Sequence, residues 1–350
     1  MFVWIAFYFV LFLLWGVYRT NHSKKFFVAG FLLLFLFTAF RFDIGWDYHM
    51  YYTLAGGKNY GGLSMVSFHL SRMEPAVLFL LNLSESLKNP QLFFIVTSVI
   101  ILLGVTVACF KLTRSPEIAL MFFLSYPHMY LDSLSTIRQW CAIAIVYLAL
   151  NPLLKGKNYL FVLLVLLASA FHSTALIFLG VLLVPRKELS LKFIMTLLAC
   201  GLVFKSILIN FMLPYMGKYA MYILEGVGEG GGKIVYANIL VFFVLLILRK
   251  RVVDKNESFD YLFNIMLVGT FFSVLLAGFG HIAFRVPMYF FVAVILIIPC
   301  YMNLFRPKKF AYIIFSLICI CLLSASLLLS HTPEKDPYIP YKNFMIDIAE

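Results

Sequence analysis

Charge is what this sequence has least of. Asp, Glu, Lys and Arg make up 13% of the 350 residues, against about 25% in an ordinary soluble domain. Acidic residues are the scarcest part, 16 against 28 basic ones. Phosphate-cradling glycine loops of the P-loop type are absent, which argues against ATP-driven transport by this chain alone. No GxSxG, HExxH, CxxC pair or EF-hand loop occurs, so no standard hydrolase, zinc or calcium signature is present. The six cysteines (Cys109, Cys141, Cys200, Cys300, Cys319, Cys321) all fall in apolar runs. They read as small core residues, not as disulfides or metal ligands.

What is there instead is apolar sequence, 63% of the chain. It comes in long runs such as Phe26 to Phe40, Ile234 to Leu248 and Ala311 to Ser330. A helix satisfies its own backbone, so lipid is the natural solvent for such runs. The expected fold class is all-α, a polytopic integral membrane protein. The first run lacks a basic start and a small-residue cleavage site and reads as a retained helix. The net charge of +12 does not call for nucleic acid as a partner, because cytoplasmic loops of membrane proteins collect Lys and Arg.

Charge also sets the expected topology. The basic connections are Arg19/Lys24/Lys25, Lys111/Arg114, Lys155/Lys157, Arg186/Lys187/Lys192, Arg249/Lys250/Arg251/Lys255 and Arg306/Lys308/Lys309. About twelve crossings put all six on the cytoplasmic side. They lie near 2–18, 26–40, 91–110, 117–131, 137–151, 158–170, 173–184, 192–210, 233–248, 260–279, 286–303 and 310–330. Several are short or re-entrant. Residues 75–87 are helical but too short to span easily. The stretch 158–184 reads as a tight hairpin with His172 near its tip. The expected organisation is a single transmembrane domain, 1–330, with external loops near 41–74 and 210–232, and an external tail, 331–350.

With the cytoplasmic arginines assigned, Arg41, Arg72, Arg138 and Arg285 remain at the outer ends of helices. An ionisable residue at membrane depth costs roughly 2.5–3.5 kcal/mol on insertion scales and marks a functional candidate. Guanidinium forks suit phosphate oxygens, although headgroup snorkelling or carboxylate pairing would also explain them. Arg138 and Gln139 open a helix, where anions are favoured; a helix-start cluster capped by Ser133 or Ser135 is the alternative. The segment RFDIGWDYHMYY, 41–52, sets Asp43 and Asp47 beside Trp46, Tyr48, Tyr51 and Tyr52. Carboxylates next to aromatic faces suit sugars, and a carboxylate can act as general base; an interfacial aromatic belt is the bland reading. His172 is either a satisfied core residue or a proton acceptor in a polar cavity. His281 and Arg285, four apart, can share a helical face.

Several short stretches carry a resemblance: R-x-x-x-G-x-D-Y at 41–48, E-P at 74–75, I-R-Q at 137–139, F-H-S at 171–173, the Arg285 segment and PYIPYK from Pro337 to Lys342. In order, and along nearly the whole chain, they resemble the EpsG/Wzy-type family of bacterial O-antigen and exopolysaccharide polymerases. The resemblance implies a multi-pass glycosyltransferase of the bacterial inner membrane, acting at the outer face. Its substrate would be undecaprenyl-pyrophosphate-linked oligosaccharide. It implies Asp47, His172, Glu74 and Asp43 as catalytic candidates, and Arg41, Arg138, Arg285 and Gln139 on the pyrophosphate. Trp46, Tyr48 and Tyr51 would hold sugar. No metal or other cofactor is expected. The expected partners are membrane lipids and a chain-length regulator and flippase of the same pathway. A transporter of lipid-linked sugars or polysaccharide, and a membrane O-acyltransferase acting on surface glycans, are the other readings.

Overall fold

The computed structural model describes residues 1–57, 73–207, 211, 232–253, 255, 257–280, 282–332 and 336–347. Arg72, His281 and most of the 210–232 loop lie outside the described residues. The described chain is almost wholly helical, with one two-stranded pairing. It divides into two compact units, Met1–Leu176 with Pro307–Glu350, and Ile177–Arg306.

The first unit holds α1 (Phe2–Asn21), α2 (Lys24–Ala39), β1 (Arg41–Phe42), α3 (Tyr48–Leu54), α4 (Pro75–Ser86), α5 (Gln91–Leu112) and α6 (Pro116–Ser125). It continues with α7 (Tyr130–Ser135), α8 (Ile137–Leu154) and α9 (Asn158–Ser169), and a 3₁₀ helix begins at Ser173. The returning segment adds α10 (Lys308–Leu329), β2 (Lys342–Asn343) and α11 (Phe344–Asp347). The second unit packs Phe259–Leu275 against Leu191–Ile207, Gly232–Leu248 and the pair Ile282–Phe291 and Val294–Met302. That last pair is bent by 55° at its break.

Among the described residues four helices are long and apolar enough to cross a bilayer: α1, α5, α8 and α10. The bent pair would make a fifth. About twelve crossings are therefore not established. Several expected spans are short helices; the ten residues of α6 rise only about 15 Å at 1.5 Å per residue, half a hydrocarbon core. The expected 117–131 run also ends early, at Ser125, and restarts as α7.

Burial separates inner helices from outer ones. Every residue of α6 is buried, Glu117 included, and its carboxylate is met by Arg19 at 2.5 Å. α10 instead exposes Ile313, Ile314, Leu317, Ile318 and Leu328. An apolar helix exposed in this way fits a lipid-facing position. α5 and α8 approach closely at Gly104, where a Cβ would stand 2.8 Å from that of Ala144. Small residues let membrane helices pack at backbone distance. Gly104→Leu is therefore expected to force the pair apart and lower the yield of monodisperse protein in detergent several-fold, checked by size-exclusion profile at matched expression.

Several of the basic connections lie together within each unit. Phe27 and Phe110 touch with ring centroids 4.7 Å apart, so Lys24 and Lys111 share an end. Arg19 reaches Ser115 and lies over Tyr312, close to Lys308 in sequence. In the second unit Arg249 pairs with Asp260 at 2.8 Å and Lys255 with Glu188 at 3.5 Å. The charge pattern thus predicts which helix ends lie together.

Candidate functional site

At the other end of the first unit the chemistry-bearing residues converge. Pro75 fixes the local geometry. It opens α4, and a residue before proline is held extended, as Glu74 is at φ −71°, ψ 152°. The carboxylate therefore stands off the helix start. A backbone bond from Ala76 N–H to the Ala170 carbonyl, 3.0 Å, ties this start to the turn after α9. That turn carries His172.

Glu74 sits at the centre. One carboxylate oxygen accepts from Arg138 Nη1 at 2.6 Å. The other meets His172 Nδ1 at 2.9 Å and the Ser173 N–H at 3.3 Å. Arg138 Nε donates to the Tyr51 hydroxyl at 2.9 Å. Four side chains from α3, α4, α8 and the 172 turn thus form one connected group. Burial alone would raise the Glu74 carboxyl. The His172 hydrogen bond and the charges of Arg138 and His172 outweigh it and hold the group down to about 2. Glu74 is an anion at any physiological pH. A carboxylate only accepts, so Nδ1 of His172 carries the proton, which leaves Nε2 as the ring nitrogen open to proton exchange. Tyr51 is buried, and burial holds its phenol well above its ordinary value, so it stays protonated.

Two nitrogens of this group have work left to do. Nε2 of His172 and Nη2 of Arg138 have no hydrogen-bond partner among the described residues. Their side chains are 20% and 27% exposed. The arrangement presents an imidazole nitrogen and a fixed cationic donor on one connected group.

The remaining candidates are distributed around it. Asp47 precedes α3 and is close enough to Tyr51 to act on its phenol electrostatically. Asp43, at φ 51°, belongs to a separate cluster with His49 at 2.6 Å and Lys342 at 3.2 Å. Arg41 is buried at 2% exposure. It donates to the Thr38 carbonyl at 2.7 Å and the Ser98 hydroxyl at 3.3 Å, with its guanidinium over Phe94. Gln139 is buried in α8, one residue past Arg138. Tyr48 stacks on Phe94 and Tyr51 on Phe93, so both rings have protein against them. Trp46 differs, at 44% exposed. Arg285 lies in the second unit, on Ile282–Phe291. Among the described residues no three His, Cys, Asp or Glu side chains gather as metal ligands would.

Gly45 explains the loop's path. It has φ +107°, and a Cβ there would collide with the Leu134 carbonyl. Only glycine accepts both conditions. Ser135, a candidate helix cap in the sequence, caps nothing and instead accepts from the Trp46 N–H at 3.0 Å; Tyr338, the other partner of this loop, had only the PYIPYK run as its signal.

No curated protein and no solved structure matches the chain. The model of one family, the EpsG family, matches residues 24–343, nearly the whole chain and every residue of the connected group. With a helical, membrane-type fold and this charged cluster in place, the chain belongs to the EpsG family.

Proposed function

We propose that this chain is a glycosyltransferase that polymerises undecaprenyl-pyrophosphate-linked oligosaccharide repeat units into O-antigen or exopolysaccharide. The reading places it in the bacterial inner membrane with the Glu74 cluster facing outward, opposite the basic connections. The observation that carries it is the Glu74-centred group, which pairs an oriented histidine with an arginine that keeps a donor in reserve. Family membership supports a polysaccharide polymerase role.

The step follows from those two groups. The acceptor sugar's hydroxyl oxygen attacks the anomeric carbon of the lipid-linked chain. A glycosidic C–O bond forms, and the C–O bond to pyrophosphate breaks with its electron pair staying on the phosphate oxygen. The hydroxyl proton passes to His172 Nε2 and from there to water. Positioned general bases contribute about 10²- to 10⁴-fold. Arg138 Nη2 meets the charge that builds on the departing pyrophosphate, a stabilisation aimed at the transition state. Glu74, held ionised and fully engaged, orients the other two. The exposed indole of Trp46 offers a face for the apolar side of a sugar ring, and Asp47 an acceptor for its hydroxyls.

A surface-polysaccharide gel tests this. A deletion strain is expected to keep single repeat units and lose the ladder. Wild type restores the ladder, and His172→Ala at matched membrane level leaves it at least a hundredfold weaker. Full-length ladders in the deletion strain would sink the reading.

A further inference from the structure

The motif Pro337 to Lys342 has no part in the chemistry above, yet it is built into the loop that carries Trp46 and Asp47. β2 pairs antiparallel with β1, Arg41 opposite Asn343 and Phe42 opposite Lys342. The Gly45 N–H donates to the Pro337 carbonyl at 2.7 Å. Tyr338 is 1% exposed. Its own carbonyl is held by the Trp4 indole N–H at 2.8 Å.

The hydroxyl of Tyr338 has a defined direction. It donates to the Leu131 carbonyl at 3.0 Å. Its single proton is then used, so in the 2.9 Å contact with Ser135 the serine must donate. Ser135 Oγ in turn accepts from the Trp46 N–H at 3.0 Å. Trp46 N–H, Ser135, Tyr338 and the Leu131 carbonyl thus form one directed chain with no choice of orientation. It links the loop, α7 and the tail. Ser135 also lies three residues before Arg138, and Asp47 begins the helix that carries Tyr51.

We infer that Tyr338 is a positioning residue for the Glu74 cluster, acting through Ser135 to fix the Trp46–Asp47 backbone and, with it, the register of α3 against Arg138. Its effect on turnover rests on the polymerase reading; its effect on the loop does not. Asp47 follows the anchored amide directly, and Tyr51 lies one helical turn beyond it. Loss of the anchor lets that turn shift. Errors of about 1 Å in a positioned group can cost on the order of a hundredfold in rate.

The test uses full-length protein in proteoliposomes. Trp4, Trp15 and Trp140 are at most 1% exposed while Trp46 is 44% exposed, so iodide-quenchable emission isolates Trp46. Tyr338→Phe keeps the ring and breaks the chain. Ser135→Ala breaks it one link nearer the loop with a smaller change. Tyr312→Phe is the matched control, since that hydroxyl bonds the Phe12 carbonyl on α1. Both test variants are expected to lower the anisotropy of the Trp46 emission and to reduce kcat at least tenfold with KM within twofold. The control should do neither. Unchanged Trp46 anisotropy in both variants overturns the proposal whatever the turnover. Altered anisotropy with wild-type kcat overturns it as well. A wild type that makes no polymer from lipid-linked units refutes the polymerase reading instead, and Trp46 alone then decides whether Tyr338 positions the loop.

Discussion

Arg138→Lys is expected to reduce polymerisation at least a hundredfold while leaving the amount of inserted protein unchanged. The substitution keeps the charge and changes the donor geometry. Arg138 uses Nε on Tyr51 and Nη1 on Glu74 and still has Nη2. These donors are set in one rigid plane. A lysine ammonium is a compact point charge on a flexible stem and cannot keep that fork. The ammonium will settle on Glu74, the nearest anion, and the donor proposed for the pyrophosphate is lost. Removing one donor aimed at a transition-state charge costs roughly 10²–10³ in rate. The measurement is polymer formed from lipid-linked repeat units in proteoliposomes, normalised to protein. An activity within threefold of wild type would remove Arg138 from the reacting centre.

Glu74→Gln should produce a comparable loss through a different route. Glutamine has the same shape, but its amide nitrogen is a donor facing either Arg138 or His172, both of which need an acceptor. If the amide oxygen stays on Arg138, the nitrogen meets Nδ1 of His172 and favours the tautomer with the proton on Nε2. The proposed base is then switched off without any change in size. A rate loss of about 10²-fold or more is expected.

The same variant gives a stability signature whose sign is fixed. The Glu74 carboxyl falls from an ordinary 4.5 to about 2 in the folded protein. A depressed carboxyl contributes stability that is fully present above pH 4.5 and is lost as pH falls toward 2. At this half-buried site water screens the interaction, and a contribution of about 2 kcal/mol is a reasonable ceiling. Wild type should therefore melt higher than Glu74→Gln at pH 7, with the gap closing between pH 4.5 and pH 2. A gap that stays constant across that window would mean the carboxylate charge is not what stabilises the site. Because Glu74 remains an anion down to about pH 2, any loss of activity between pH 7 and pH 5 must come from another group.

Much of the site was legible in the sequence, residue by residue. Arginines at the ends of apolar helices away from the basic connections are costly in lipid and stand out for that reason. Arg138, Glu74 and His172 were all singled out, Glu74 through the E-P pair that helps carry the resemblance. Pairing was not legible. Glu74, Arg138 and His172 are separated by 64 and 34 residues in the chain, and no local rule says which acid meets which base. Arg41 carries the same label as Arg138 in the sequence, yet it is buried between Thr38, Ser98 and Phe94. Tyr48 and Tyr51 read as open sugar faces, but on a helix packed against aromatic side chains they find aromatic neighbours first, and Phe94 and Phe93 cover them.

By itself, then, the sequence determined the solvent, the helical class and which ends of the helices lie together. Those follow from composition and from the energy of apolar runs and charges in lipid, which are properties of single residues summed along the chain. Tertiary structure alone decided that Glu74 would be the hub and that Tyr338, 203 residues beyond Ser135, would complete a hydrogen-bond chain to Trp46. Those are properties of pairs. They exist only once α3, α4, α8 and the tail have packed, because a hydrogen bond requires its partners within about 3 Å, and chain distance says nothing about that.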